Sequence, residues 1–341
     1  MVAALPPLEI ARAWERLAPV VHRTPLIRSS QLDQRAGRRV WLKLECLQRS
    51  GSFKARGAFN AALVGLEQGD RRGLACVSSG NHGQAVALAA RSLDLEALVV
   101  MPPDASPVKV AAIRGYGAEV YSTGVTLENR DVICQQLAEQ RRLRFIHPHD
   151  DPDVMAGQAT VAEELVEQLG SREAQAGAVV IPVGGGGLLA GMASSLRERQ
   201  PQARVVGVEP GSGDDAGQSL RRGTLVSLEA APATLADGAR TLHLGAGCWE
   251  IIRRLRPSMV SVDELDLARA CWWLWSRAKL LVEPTGALAL AAVLGRAQPE
   301  AAWHNALRGR GDLVCVISGG NCDPGQMRAV LALVGSEGES V

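Results

Sequence analysis

The chain has 341 residues, 47% of them apolar and 21% charged, with 37 Lys and Arg against 36 Asp and Glu for a formal charge of +1. That length exceeds one ordinary hydrophobic core and predicts two lobes of a soluble globular protein. No block of basic residues is present, so nucleic acid is not an expected partner.

Seven cysteines (46, 76, 134, 248, 271, 315 and 322) show neither CxxC nor metal-finger spacing, and Cys76 and Cys315 sit in apolar, strand-like runs. Small buried thiols in a reducing, cytoplasmic setting are the expectation. The first residues carry Pro6, Pro7 and Glu9 without a basic leader, so no secretory signal is expected. The uncharged run 178–196 is long enough to span a bilayer, but Pro182 and four consecutive glycines interrupt its centre. It reads as strand, loop and helix, and no membrane partner is expected.

In chain order, strands are predicted at 40–44, 74–78, 97–101, 119–122, 178–183, 204–208 and 313–317. Helix-period segments lie between them at 85–93, 108–116, 127–139, 154–169 and 188–199, and another apolar helix follows Lys54 through Ala58, Phe59, Ala61, Ala62 and Leu63. Such alternation predicts parallel sheets covered by helices on both faces. Pro102-Pro103-Asp104 and His147-Pro148-His149-Asp150-Asp151-Pro152 read as loops, and 335–341 as a frayed tail. Trp272, Trp273 and Trp275 share a predicted helix with Leu267, Leu274 and Lys279, and read as core or subunit contact rather than a ligand cage.

Four short segments carry chemistry. Ser50-Gly51-Ser52-Phe53-Lys54-Ala55-Arg56-Gly57 sets a lysine between a Gly/Ser turn and an apolar helix; alone, it reads equally as a solvated cation. Ser78-Ser79-Gly80-Asn81-His82-Gly83 joins a strand to a helix, with Ser79 or Asn81 available as N-cap. The strand ending at Val183 runs into Gly184-Gly185-Gly186-Gly187 and then Leu188, an order suited to an anion held by bare backbone amides at a helix start. A dinucleotide fingerprint fits less well: the G-x-G-x-x-G turn is missing, although Glu209 falls near the acidic position. Ser318-Gly319-Gly320-Asn321 closes the last strand.

These segments, in this order from Arg23-Thr24-Pro25-Leu26 to Asn321, resemble the serine/threonine dehydratase and serine racemase family of fold-type II enzymes dependent on pyridoxal 5'-phosphate (PLP). The resemblance implies an α/β fold like that of the tryptophan synthase β chain, with two doubly wound domains of mainly parallel sheet. A small domain at 50–150 would be inserted into a large one formed by 1–49 and 151–341. It implies Lys54 as the PLP-bearing lysine, usable as a base once burial lowers its pKa. Phe53, Asn81, Gly184 to Gly187, Leu188, Glu283 and Ser318 would hold the cofactor, Asn81 on the ring hydroxyl and Ser318 on the pyridine nitrogen. A neutral partner on that nitrogen suits β-elimination. Ser78, Ser79, Gly80, Asn81 and His82 would surround the substrate carboxylate, and Ser79 would carry a proton opposite Lys54. His82 reads equally as a structural histidine.

Arg130 aligns with a substrate-lobe arginine of serine racemase, where a cation would favour a second carboxylate or help close the lobe, and reads equally as an exposed helix residue. Thr234-Leu235-Ala236-Asp237-Gly238 matches the T-x-A-D-G signature, placing Gly238 and Thr241 near the substrate. Glu209, the carbonyl of Gly213 and Asp215 match a loop that binds Mg²⁺ or Ca²⁺, or else form an acidic surface loop. The implied enzyme is a threonine or serine ammonia-lyase acting on a small hydroxy amino acid, and a homodimer. Serine or aspartate racemase and threo-3-hydroxyaspartate dehydratase are the alternatives, followed by a non-catalytic PLP or amino-acid binder. Cysteine synthase-like β-replacement fits the Ser-Ser-Gly-Asn-His segment less well.

Overall fold

Apolar strands and amphipathic helices alternate along the chain, and in the computed structural model the strands sort into two separate sheets. It describes residues 4–126, 128–295 and 311–335. The strands are β1 (Leu26–Arg28), β2 (Val40–Lys43), β3 (Leu74–Val77), β4 (Ala97–Val100), β5 (Glu119–Tyr121), β6 (Arg144–Phe145), β7 (Ala176–Pro182), β8 (Arg204–Pro210), β9 (Ser258–Val262) and β10 (Asp312–Val316). The larger sheet has the order β1-β2-β10-β7-β8-β9 and the smaller one β5-β4-β3-β6. Every pairing is parallel except that of β1 with β2. The strands of the smaller sheet all come from the chain between β2 and β7, so the larger sheet is assembled from both ends of the sequence.

The helices are α1 (Pro7–Leu17), α2 (Ser30–Ala36), α3 (Lys54–Glu67), α4 (Asn81–Ser92), α5 (Pro107–Gly115), α6 (Arg130–Arg141), α7 (Pro152–Gly170), α8 (Gly187–Arg199), α9 (Asp215–Arg222), α10 (Ala246–Leu255), α11 (Glu264–Ser276), α12 (Pro284–Leu294) and α13 (Pro324–Gly335). They cover both faces of each sheet, as strand alternation requires. On β7, Val179 and Ile181 pack with α7, α8 and α10, while Ala178 and Val180 join the opposite core with α11 and α12. On the smaller sheet, Cys76 and Val99 face α3 and α4, and Ala75, Val77 and Leu98 face α6.

The run 178–196 becomes strand, glycine loop and helix as read, and among the described residues no helix is long and apolar enough to cross a membrane. All seven cysteines are free thiols, six of them buried. Trp273 is core, while Trp275 Nε1 donates to the Val282 carbonyl at 2.9 Å; α11 stops at Ser276, short of Lys279. Three strands have no counterpart in the sequence reading. β1, β6 and β9 are edge strands, two to five residues long and only partly buried, so they lack a readable apolar run. The start of the segment read as a helix from 127, and the tail beyond 335, lie outside the described residues.

Candidate active site

Parallel strands carry their chemistry at their carboxyl ends. Here β3 leads into Ser78, β6 into His147, β7 into the glycine run and β10 into Ser318. The Lys54 turn is fixed to the last of these. Ser52 forms a β-bridge with Gly319, and the Phe53 amide donates to the Ser318 carbonyl at 3.1 Å. Lys54 begins α3, half-buried, with its ammonium donating to the Pro148 carbonyl at 2.6 Å and lying 5.2 Å from the Phe53 ring centroid. Burial lowers its pKa to about 8, against a smaller upward pull from Cys248 and Glu283.

Asn81 sits at the centre of a side-chain chain. Its amide donates to Glu283 Oε1 at 2.5 Å and its oxygen accepts from Asn321 Nδ2 at 2.8 Å, while the same Asn321 nitrogen reaches the Ser50 carbonyl at 2.8 Å. These bonds fix the Asn81 amide orientation. Glu283, buried against Gly319, has its carboxyl pKa raised by burial and by Asp237.

The glycine run has no room for side chains. A Cβ on Gly184 would lie 2.7 Å from the Gly238 carbonyl oxygen, and one on Gly185 would collide with the His149 ring. Gly186 has φ +94° and Leu244 crowds its Cβ position at 2.9 Å; a Cβ on Gly187 would meet the His149 carbonyl oxygen at 2.9 Å. Gly186 also serves as N-cap of α8 without a capping side chain, so the amides of the first turn are open to an anion. Leu188, the second residue of that turn, is buried. A bare amide cradle, a lysine of lowered pKa and a neutral serine on the neighbouring strand end together fit PLP.

The substrate side is less tightly assembled. Ser78 Oγ accepts from the Gly80 amide at 3.1 Å, and Ser79 stands half-buried beside it. Gly80, rather than Ser79 or Asn81, is the N-cap of α4. His82 is buried, and its Nε2 is 2.9 Å from the Ile146 carbonyl, so Nε2 carries the proton. Burial, with Lys54 adding, lowers its pKa to about 3. The side chain is therefore held neutral with its Nε–H committed, which leaves the backbone amide as the donor His82 could offer a carboxylate. Gly238 is exposed, its amide donating to Thr285 Oγ1 at 2.9 Å, and Thr241 Oγ1 is buried without a partner.

Arg130 opens α6. Its Nε is buried without a hydrogen-bond partner, and the nearest carboxylate is Asp131 at 3.8 Å. No hydrogen bond among the described residues joins it to the Lys54 group. His147, however, is held down in pKa by burial and by Lys54, while Asp150 and Asp131 pull it upward, so the α6 start and the lysine share one electrostatic neighbourhood.

Glu209 and Asp215 stand at the end of β8 and the start of α9. Both carboxyls are raised, Glu209 to about 8 by burial and Asp215, and Asp215 to about 7 chiefly by burial. Glu209 accepts from the Ala216 and Gly217 amides at 2.8 and 2.9 Å, whereas Asp215 Oδ2 is buried without a partner. No group of three or more His, Cys, Asp or Glu arranged for a metal occurs among the described residues. Any cation here would need carbonyl and water ligands such as Gly213 could supply.

Sequence reading assigned no task to several residues that the fold brings to this site. His147 and His149 follow a two-residue strand too short to be recognised, although two histidines in a Pro/Asp loop were a visible signal. Lys109 on α5 forms an ion pair with Asp237, which also lies 3.4 Å from Thr285 Oγ1. Beneath Lys54, Arg56 makes a two-pronged contact with Glu45 and a third bond to Glu164, and Glu164 pairs with Lys43.

This two-sheet fold, with a lysine turn and a glycine cradle at the ends of the neighbouring strands β10 and β7, defines a PLP-dependent α/β enzyme. Residues 17–319 match the family described as "Pyridoxal-phosphate dependent enzyme", and the chain belongs to that family, as a fold-type II member. It is 42% identical over 316 residues to an L-threo-3-hydroxyaspartate ammonia-lyase of Pseudomonas sp, spanning 92% of this chain and 95% of that one. It is 38% identical to a serine racemase of Schizosaccharomyces pombe, over 92% and 94% of the two chains. The crystal structure of a threonine deaminase from T.th. superposes with a TM-score of 0.86 at 48% identity, covering 93% of this chain and 98% of that one.

Proposed function

We propose that the chain is a PLP-dependent ammonia-lyase for small β-hydroxy amino acids, with L-threo-3-hydroxyaspartate as preferred substrate and L-threonine and L-serine as further substrates. Arg130 is our candidate for the substrate choice: its Nε is buried without a hydrogen-bond partner, 3.8 Å from Asp131, and Asp131 and Lys54 both act on His147. A buried Nε without a hydrogen-bond acceptor, on a guanidinium otherwise open to an incoming group, suits a second carboxylate. Likeness to the Pseudomonas ammonia-lyase supports this order, which reverses the one expected from sequence. The 48% identity to the threonine deaminase supports the second substrate class.

Bound PLP supplies the electron withdrawal that acidifies the substrate α-carbon. In this reading Lys54 carries the cofactor and, as a neutral amine, takes the α-proton. Asn81, held by Glu283 and Asn321, addresses the ring hydroxyl, and Ser318 addresses the ring nitrogen without charging it. The amides of Gly184 to Leu188 hold the phosphate, with Phe53 beside the lysine. Ser78, Gly80 and the α4 amides of Asn81 and His82 orient the substrate carboxylate, with Gly238 and Thr241 closing the opposite wall. Ser79 is placed for proton exchange on the second face, the step a racemase needs. The β-hydroxyl leaves as water, and the released enamine adds water and expels ammonia, giving oxaloacetate, 2-oxobutanoate or pyruvate. The lobe that closes over substrate spans 50–150. Glu209, the Gly213 carbonyl and Asp215 seat an auxiliary Mg²⁺ or Ca²⁺, and the orphan oxygen of Asp215 supports that role.

Ammonia and 2-oxo acid release from L-threo-3-hydroxyaspartate, L-threonine and L-serine, with and without chelator, tests the reading. Arg130→Met should raise KM for hydroxyaspartate about tenfold or more and leave threonine little changed. Equal effects on both substrates would remove Arg130 from substrate choice, and D-serine formed faster than pyruvate would replace the lyase by a racemase.

A further inference from the structure

The His149 side chain has no counterpart in the roles above. Its imidazole occupies the space a side chain would take on Gly185, and its backbone closes the same space at Gly187, so it covers the middle of the glycine cradle. The residue is anchored through its backbone, where Cys248 Sγ donates to its carbonyl at 3.3 Å, and the His147 ring meets its ring edge-on at a centroid distance of 4.6 Å. Among the described residues neither His149 ring nitrogen has a protein hydrogen-bond partner. The cradle itself offers a phosphate only amide dipoles, and the ammonium of Lys54 is consumed when the lysine takes up the cofactor aldehyde. A dianionic phosphate bound there lacks a full positive charge unless a side chain brings one.

We propose that His149 is the side-chain ligand of the cofactor phosphate, taking up a proton as the phosphate enters the glycine cradle and donating a charge-assisted hydrogen bond to it. The inference rests on the PLP reading of the site. The groups around His149 are Lys54 from α3, His82 from α4, His147 and Asp150 in its own loop, His243 before α10 and Cys248 on α10, where the Cys248 amide donates to Asp150 Oδ1. Burial and these neighbouring bases keep the free imidazole neutral at physiological pH. An entering dianion reverses the sign of the local field and so favours the imidazolium.

The test uses the full-length chain, resolved of cofactor, and compares the affinity for PLP with that for pyridoxal, which lacks the phosphate. In the wild-type chain the preference for PLP should weaken as pH rises from 6.5 to 8.5. His149→Phe, which keeps a flat ring over Gly185, should lower that preference about tenfold to a hundredfold, and His149→Asn should restore part of it. A preference unchanged in His149→Phe, or a loss shared equally by pyridoxal, overturns the proposal. Should neither variant fold, proton uptake by the wild-type chain at pH 8 decides, read from binding heats in buffers of different ionisation enthalpy. PLP should take up more protons than pyridoxal, and equal uptake overturns the proposal. Failure of both aldehydes to bind the wild-type chain would instead sink the PLP reading, together with the inference that rests on it.

Discussion

Replacing Glu45 by glutamine should destabilise the enzyme more than its size-conserving chemistry suggests. Glu45 is fully buried and accepts from Arg56 Nη2 at 2.7 Å, Arg56 Nε at 2.8 Å and Thr24 Oγ1 at 2.6 Å. Burial alone would raise its pKa; Arg56, Lys43 and Thr24 outweigh that, and the net shift is downward. Two cations, Arg56 and Lys43, balance two carboxylates, Glu45 and Glu164, with no water-exposed member. Removing one negative charge leaves two buried cations sharing Glu164. Breaking one partner of such a group costs about 3–5 kcal/mol, or a fall in Tm of about 4–7 °C for a chain of this length. Differential scanning calorimetry of the apoenzyme measures it. Glu250→Gln, at the surface pair with Arg253 and Arg254, is the control and should leave Tm unmoved. Because Arg56 lies two residues beyond Lys54 on α3, cofactor occupancy should fall in parallel. A Tm within about 1 °C of wild type would refute the claim that this network holds the lysine turn.

Two further outcomes follow from the same geometry. With the Lys54 pKa near 8, attachment of PLP to the apoenzyme, followed by stopped-flow absorbance, should accelerate about tenfold per pH unit up to that value and then level off, whereas an ordinary lysine would keep gaining to about pH 10.4. The unfolded chain binds the extra proton between those two values, so this group makes apoenzyme stability rise with pH across that window; attachment still accelerating tenfold per unit at pH 9 contradicts the burial argument. Lys109→Met removes the ion pair from α5 to Asp237, beside Glu283, and should lower kcat/KM about tenfold or more while PLP affinity, read by titration, holds. A loss confined to PLP affinity would assign Lys109 to the cofactor instead of to the substrate side.

Sequence by itself determined the layered α/β plan and the order of the functional loops. The reason is local: buried parallel strands must be continuous apolar runs, and the turns after them need Gly, Ser and Asn for their backbone geometry and anion contacts. Lys54, Asn81, Gly184 to Gly187 and Ser318 are legible as candidates because each stands in such a turn. The short edge strands β1, β6 and β9 carry no such run, and the histidines that follow β6 therefore had no visible platform. Tertiary structure alone decided that His149 packs on Gly185, that Lys109 reaches Asp237, and that Lys43, Glu45, Arg56 and Glu164 share one dry compartment. It also committed the His82 Nε–H to the Ile146 carbonyl. Each of these arrangements draws on residues far apart in the chain. Their energy depends on burial and on a partner's charge, which no local pattern of residues encodes.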